Sequence, residues 1–209
     1  NMTFLTTALG LTLCFVWASA DILPQPDFNI EGMSGKWYLT GFATNAQWFI
    51  IHKQTMGTGT STFTPMDGNL DMPFESLNPD GTCFRLHNLA KKTDVPGKFT
   101  YVGDVNDMRI VDVKYDEYAL IYTVKTIGDT SDAVIKAYSR SPELSSEIQE
   151  KFRQFALENG VLPENMVILP KNGSTQFIFQ FYFSSNLTFN FTTTWLGNCS
   201  VPLKNIYTA

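Results

Sequence analysis

Cysteine, histidine and positive charge are all scarce in this chain of 209 residues, which has 3 Cys, 2 His, and 15 Lys or Arg against 20 Asp or Glu. The net charge of −5 and the lack of a Lys/Arg cluster argue against nucleic acid and anionic lipid as partners, since both need a basic surface. His52 and His87 have no further His, Cys or carboxylate at metal-ligand spacing. The sequence therefore predicts no metal site, and it indicates no cofactor.

Long apolar runs are also scarce, and the one candidate lies at the start of the chain. The run from Thr3 to Ala20 carries no charge and ends in the small residues Ala18, Ser19 and Ala20. We interpret residues 1–20 as a secretory signal peptide rather than a membrane anchor, because the run is short for a span of about 20 residues and ends in a cleavage site. The remaining 189 residues suit one secreted, extracellular domain with no membrane span.

Short β-rich runs fill the chain from Gly35 to Ser139, and turn signals such as "MDGN", "NPDG", "VPG" and "GDTSD" separate them. The predicted strands are Trp37 to Ala43, Thr58 to Phe63, Leu70 to Leu77, Thr82 to Leu89, Lys98 to Val102, Arg109 to Tyr115, Tyr118 to Thr126 and Ala133 to Ser139. Eight strands with short connections and no intervening helix predict an antiparallel up-and-down meander. Such a meander hides its edges best by closing into a β-barrel.

The hydrophobic period then changes in "SPELSSEIQEKFRQFALENG". Ser141 is the predicted N-cap, Leu144, Ile148, Phe152 and Phe155 recur at helical spacing, and Gly160 is placed to end the helix. A single apolar stripe predicts an amphipathic helix packed outside the barrel. Met166 to Pro170 then gives a ninth short strand. The fold class is therefore all-β, an eight-stranded antiparallel barrel with one C-terminal α-helix.

Motifs for common enzyme chemistries are missing from the chain. No Gly-x-Ser-x-Gly elbow accompanies His87, which favours a surface histidine. "GTGT", residues 57–60, lacks the third glycine, the lysine and the helix of a phosphate-binding loop. We interpret it as a flexible strand near the barrel mouth.

Three motifs in order resemble those of the lipocalin family, over about Phe28 to Lys171. "SGKWY" matches the family's Gly-x-Trp, here Gly35 and Trp37, and "YDEYALIY" matches the hairpin between the sixth and seventh strands. The residues before that hairpin are Val113 and Lys114, where the family usually has Thr-Asp. "AYSRSPELS" matches the end of the eighth strand, with Arg140 as the family's arginine. The resemblance implies that Trp37 closes one end of the barrel and that Arg140 packs across its ring, as a structural cation-π pair.

The resemblance also implies a small hydrophobic ligand in the open end. Alternation along the strands predicts the lining residues: Met72, Phe74, Phe84, Leu86, Phe99, Tyr101, Ile121, Thr123 and Tyr138. The alternative is that these side chains fill the barrel as an ordinary core. Lys136 shares parity with Tyr138 and would suit a ligand carboxylate if it pointed inward, but we expect it to point outward because a buried unpaired ammonium is costly.

Within the family, "GFATNAQWF" and "EKFRQFALENG" are most similar to the lipocalin-type prostaglandin D synthases. Those enzymes use a cysteine thiolate on the second strand, and the matching position here is Thr58 or Gly59. Neither residue can form a thiolate. The resemblance therefore implies the fold and the ligand class without that catalysis.

The composition changes abruptly after a predicted lipocalin domain of residues 21–171. Residues 172–209 are apolar and contain every predicted glycosylation site after residue 20, at Asn172, Asn186, Asn190 and Asn198. In the family, a cysteine shortly after the ninth strand bridges to the fourth strand, where Cys83 lies. A Cys83–Cys199 disulfide belongs to the first of two interpretations of the tail. The tail is either a glycosylated functional extension or, as we favour, not the usual C-terminus, because exposed "FIFQFYF" promotes aggregation.

We therefore expect a secreted monomeric carrier of a retinoid, fatty acid or similar lipid, with a cell-surface receptor as a further candidate partner. The segment "ATNAQWFIIHK" is expected to set access to the mouth, with Trp48 and Phe49 as either a lid or a cap on the core. The alternatives are a prostaglandin D synthase-like isomerase and a protein-interaction module with a filled barrel.

Overall fold

The computed structural model describes residues 21–78, 81–101, 105–169 and 199. Its strands are β1 (Gly35–Thr44), β2 (Gly59–Met66), β3 (Asn69–Leu77), β4 (Cys83–Lys92), β5 (Lys98–Tyr101), β6 (Val105–Lys114), β7 (Tyr118–Ile127), β8 (Thr130–Ser139) and β9 (Met166–Ile168). The helices are α1 (Gln47–His52) and α2 (Ser146–Glu158). Short 3₁₀ turns occupy Ile30–Met33, Lys53–Thr55 and Pro163–Asn165. Within these ranges, no helix is both long enough and apolar enough to span a membrane.

The first eight strands form a closed antiparallel barrel. The hydrogen-bonded order runs from β2 through β8 to β1, and β1 pairs again with β2, so these eight strands close into a barrel. Gly35 lies opposite Phe63 in the β1–β2 ladder, and Tyr38 lies opposite Ser139 in the β1–β8 ladder. β9 adds to the other half of β1, from Gly41 to Ala43. The predicted barrel, outer helix and ninth strand are all confirmed.

Alternation along each strand sends apolar side chains to two separate cores. The inner core contains Trp37, Phe63, Ile121 and Tyr138, all of them buried. The outer core packs α2 against the barrel wall through Ile148, Phe152 and Ala156, which recur at a helical spacing of four. Fully burying a side chain such as Phe152 stabilises the fold by about 1.5–3 kcal/mol.

Helix α2 begins later than the sequence predicts. Ser145, not Ser141, is the N-cap, and its side chain accepts a hydrogen bond from the backbone N–H of Ile148. Leu144 is buried in the outer core, and the chain reaches it through an irregular segment after β8. Ser141 accepts a hydrogen bond from the backbone N–H of Glu143, before the helix begins, so its prediction as the N-cap is wrong.

The segment after β1, expected as a mouth loop, contains the short helix α1. Phe49 is fully buried and stacks on Phe42, with ring centroids 5.1 Å apart. Trp48 is 37% exposed and contacts Phe42 edge-on. Phe49 therefore caps the core while Trp48 remains at the surface of the mouth.

The mouth and the closed end of the barrel are set by the connections between strands. The mouth carries α1 and the strand ends at Leu77, Cys83, Tyr101, Val105, Ile127 and Thr130. Several strands extend further toward it than the turn residues suggest, since β6 begins at Val105 rather than Arg109 and β8 at Thr130 rather than Ala133. Backbone pairing in the β6–β7 and β7–β8 ladders continues through polar residues of low β-propensity such as Asp107 and Asp132.

Candidate functional site

Trp37 and Arg140 seal the closed end of the barrel. The Trp37 ring is fully buried and its indole N–H donates to the Met33 carbonyl at 2.7 Å. The central guanidinium carbon of Arg140 lies 3.7 Å from the centroid of the Trp37 ring, within the range of a cation-π contact. The pair therefore lies as the motif resemblance implies.

Arg140 also joins chain segments that are distant in sequence. Its guanidinium donates to the carbonyls of Gly32, Ser34, Lys36 and Tyr115, at 2.9 to 3.2 Å. Gly35 lies beneath it with a φ of +101°, a conformation that L side chains rarely adopt. The Gly-x-Trp motif thus provides both the backbone conformation and the ring that Arg140 packs on.

The nine predicted lining residues lie at different depths. Met72, Phe99, Ile121, Thr123 and Tyr138 are buried, Phe74 and Tyr101 are partly buried, and Phe84 and Leu86 are exposed. Phe99 packs edge-on against Phe28 at the closed end. Alternation along the strands predicts these nine residues as one ligand-binding surface. In the structure, Phe99 lies instead at the base of the barrel.

Three apolar side chains on β3 and β4 form one wall of the upper interior, which we call the apolar wall: Phe74, Phe84 and Leu86. Phe74 lies opposite Leu86 in the register, so both side chains point to the inner face, and the Phe74 and Phe84 rings are 6.3 Å apart. Phe84 is 46% and Leu86 47% exposed. Apolar side chains on the inner face of the barrel are therefore accessible to solvent near its mouth.

The wall formed by β7 and β8, which faces the apolar wall, contains a lysine whose predicted direction is wrong. Lys136 was expected to point outward, but it lies opposite Ile121 on β7 and Phe42 on β1, both of them inner-core residues. Its Nζ is 5.8 Å from the centroid of the Phe42 ring. Burial, and next the charge of Lys125, lower the pKa of Lys136 to about 8. The ladder register, which continues on both sides of β8, overrides the preference of an isolated lysine for solvent.

Sequence reasoning missed Lys125, which has the same parity as Ile121 and Thr123 on β7. Its Nζ lies 5.4 Å from the Trp48 ring centroid, at the mouth. Extending the alternation of β7 by one further step would have found it.

Hydroxyl groups complete the interior. The Tyr101 hydroxyl donates to the sulfur of Met108 at 2.8 Å. Burial raises the pKa of both Tyr101 and Tyr138, so both phenols stay neutral at physiological pH. Thr123 is 5% exposed, and its Oγ1 has no hydrogen-bond partner among the residues that the structure describes.

Cys83 and Cys199 form a disulfide with Cα atoms 5.8 Å apart. The bridge is consistent with an oxidising compartment. The other predicted features of the termini, namely the signal peptide and the sites at Asn172, Asn186, Asn190 and Asn198, lie outside the described residues.

The histidines and the described carboxylates do not cluster as metal ligands would. His52 Nδ1 lies 2.6 Å from the Trp48 carbonyl, and His87 is exposed and pairs with Asp71 at 2.7 Å. No group of three His, Cys, Asp or Glu that could hold a metal occurs in the ranges that the structure describes.

A pocket of about 190 Å³ lies at the closed end of the barrel, between the N-terminal segment and the β4–β5 turn. Phe28, Ile30 and Phe99 are among its lining residues. Only Phe99 belongs to the predicted ligand surface, so this pocket is distinct from the interior near the mouth.

Comparison with known proteins agrees with this geometry. The model of the Lipocalin / cytosolic fatty-acid binding protein family matches residues 34–173. The solved structure of the siderocalin Ex-FABP superposes with a TM-score of 0.61 at 23% identity, covering 68% of this chain and 93% of that one. That likeness supports the fold.

Curated relatives include proteins named as lipocalins and an enzyme. A lipocalin of Rhinella marina is 37% identical over 179 residues, covering 79% of this chain and 96% of that protein. A prostaglandin-H2 D-isomerase of Felis catus is 31% identical over 160 residues, covering 74% and 83%. Human lipocalin-15 is 31% identical over 169 residues, covering 78% and 91%. The chain belongs to the lipocalin family.

Proposed function

We propose that this lipocalin is a secreted, non-catalytic carrier that binds a retinoid, a fatty acid or a similar small lipid in the upper half of its barrel. The observation that carries the proposal is the accessible apolar wall of Phe74, Phe84 and Leu86. Inward-facing apolar side chains in contact with water are the surface that an apolar ligand would cover.

Burial of the ligand provides the driving force for binding. Each Å² of apolar surface removed from water contributes on the order of 25 cal/mol, for the ligand and for the wall that it covers. The closed hydrogen-bonding of the barrel holds this wall in place before binding, which limits the ordering cost. A small lipid can therefore bind tightly without a large rearrangement.

The binding test is a titration with cis-parinaric acid and with retinol, followed by ligand fluorescence, on wild type, Phe84→Glu and Met66→Glu. Met66 is the matched control because it is an exposed apolar residue of β2 at the closed end. We expect one saturable site at micromolar concentration or below, weakened by about tenfold or more in Phe84→Glu and unchanged in Met66→Glu. Equal effects of both variants would place the ligand elsewhere. No binding by the folded wild type would favour the protein-interaction alternative.

The isomerase alternative arises from the similarity to prostaglandin-H2 D-isomerases. Gly59 lies on the inner face of β2, and a Cβ built there would meet the Phe74 ring at 2.2 Å. The hydroxyl of Thr58 donates to the Leu169 carbonyl. Cys83 and Cys199, the cysteines within the described ranges, are bonded to each other. These observations favour binding without thiolate catalysis.

The catalysis test is incubation of the purified protein with prostaglandin H2 and glutathione. We expect product formation at the uncatalysed rate. A protein-dependent rate that titrates with protein concentration would refute the non-catalytic assignment.

Secretion and glycosylation are tested on the product of a eukaryotic expression host. We expect a mature chain that begins at Asp21, with a mass that falls on treatment with an N-glycosidase. A product retained in the cells, or one insensitive to the glycosidase, would contradict the corresponding part of the proposal.

A further inference from the structure

Two lysines point into the barrel from the wall that faces the apolar wall. Lys136 shares the inner face of β8 with Val134 and Tyr138, whereas Ile135 and Ala137 belong to the outer core. Lys125 shares the inner face of β7 with Ile121 and Thr123. The register fixes the inward direction of the Cα–Cβ bonds of both lysines.

Neither ammonium has an anionic partner in the part of the chain that the structure describes. No carboxylate lies within 4 Å of Lys125 or Lys136 there, although Asp132 is opposite Lys125 in the ladder. Asp132 shares the inward-facing side of β8 with Lys136, and the remaining titratable groups of this interior are the phenols of Tyr101 and Tyr138, which remain neutral. The Nζ of Lys125 lies over the Trp48 ring, and that of Lys136 lies over the Phe42 ring. Two like charges in a partly desolvated interior are costly unless an anion neutralises them.

The Thr123 hydroxyl is a second, independent sign of a missing polar partner. It is buried on the same inner face and has no hydrogen-bond partner within the described ranges. Thr123 lies opposite Val134, one diagonal step from Lys136, which corresponds to about 7–8 Å between backbones. A buried hydroxyl without a partner is unusual in a native structure, and this one is available to donate to a bound group.

We propose that Lys125, Lys136 and the Thr123 hydroxyl form an anion subsite, and that the ligand is a long-chain carboxylate whose apolar tail covers Phe74, Phe84 and Leu86. This inference rests on the proposed carrier function and specifies its ligand class. The interior has a cationic wall on β7 and β8 and an apolar wall on β3 and β4, which is complementary to an amphiphile with one charged end. A carboxylate offers two acceptor oxygens, enough for a lysine and a hydroxyl together.

The test compares cis-parinaric acid with its methyl ester, which has the same chain without the charge. The variants are Lys136→Met, Lys125→Met and Thr123→Val, with Lys91→Met as the control, since Lys91 is exposed on the outer face of β4. In wild type, we expect the acid to bind about tenfold or more tighter than the ester. In Lys136→Met, the acid should lose about tenfold while the ester changes less than about twofold, and Lys91→Met should change neither. Circular dichroism checks folding, and Thr123→Val and Lys125→Met decide the result if Lys136→Met does not fold.

Proton uptake gives a readout that a packing role would not produce. Because the pKa of Lys136 is about 8 in the bare protein, binding of a carboxylate at pH 8 should draw a proton onto this amine. Calorimetry in two buffers of different ionisation enthalpy measures that proton, and the ester should not cause the uptake.

The outcomes separate the two proposals. Equal affinity of wild type for acid and ester, or an equal loss of both in Lys136→Met, would overturn the anion subsite and leave the carrier function standing. Binding of neither probe would overturn the carrier function together with this inference. Selective loss of the acid with proton uptake would establish both.

Discussion

Replacing Arg140 by Met should strongly destabilise the barrel. The variant keeps a flexible apolar stem over Trp37 but loses the cation-π contact and hydrogen bonds to four carbonyls. Two of those bonds are exposed, so we assign about 0.5 kcal/mol to each of them, about 1 kcal/mol to each of the other two, and about 1 kcal/mol to the ring contact. The free energy of unfolding should fall by about 4 kcal/mol, a large part of the 5–15 kcal/mol typical of a domain.

Urea unfolding, followed by circular dichroism with the disulfide intact, measures this loss. With a urea slope of about 2 kcal/mol per molar, the midpoint should fall by about 2 M. Arg140→Lys should recover little, because one ammonium cannot reach four carbonyls and also lie flat on an indole. Arg153→Met, on the exposed face of α2, is the control and should change stability by less than about 0.5 kcal/mol. Full recovery by lysine, or a shift no larger than that of the control, would refute the role assigned to the guanidinium.

Three further changes have defined expected outcomes. Phe152→Ala should lower the free energy of unfolding by about 3–5 kcal/mol because it empties the outer core, whereas the exposed Leu157→Ala should cost under about 1 kcal/mol; similar urea midpoints for the two would argue against helix docking. The pKa of Lys136 is about 8 in the folded state and near 10.5 in the unfolded state. The ligand-free wild type should therefore gain stability relative to Lys136→Met as the pH rises from about 7.5 to about 9.5. Parallel curves of unfolding free energy against pH, measured with urea, would contradict the lowered pKa. Replacing Cys83 by Ser opens a bridge of sequence separation 116 and should cost up to about 4–5 kcal/mol, which calorimetry would show as a lower melting temperature; an unchanged melting temperature would mean that the bridge does not stabilise the barrel.

The sequence predicted the barrel because the pattern and the turns agree along the whole of β1 to β8. Alternating strands bounded by Gly, Pro, Asn and Asp leave few other arrangements for a chain with one apolar helix. The closed end could also be predicted, since Gly35, Trp37 and Arg140 belong to motifs that resemble those of the family.

The short helix α1 and the depth of each lining residue within the barrel could not be predicted from the sequence. Helix α1 has six residues, too few to show a helical period, and tertiary stacking of Phe49 on Phe42 supports it. Alternation gives the face of a strand but not the distance from the mouth, so exposed Phe84 and buried Phe99 looked alike.

For Lys136, the alternation of β8 predicts the side-chain direction better than the desolvation cost does. Its parity indicated an inward side chain, and the desolvation penalty was the reason for expecting the opposite. The register on both sides of β8 fixes the inward direction, and the penalty remains as a lowered pKa of this amine. A costly group held in place by its neighbours is a candidate functional residue, and on this basis we propose Lys136 for the anion subsite.

The barrel closes by pairing of β1 with β8, so a chain under synthesis can close it only after β8 has been made. The Thr40 hydroxyl on β1 donates to the Ala137 carbonyl on β8, which lies 97 residues further along the chain. At roughly 5–20 residues per second, a ribosome takes on the order of 5–20 s to make that intervening stretch. Throughout that time β1 has no β8 to pair with, and the apolar inner faces of the early strands have no closed interior. We expect nascent chains to depend on chaperones until β8 emerges, and pulse-labelled chains truncated before Thr130 should co-purify with chaperones while chains extended past α2 should not.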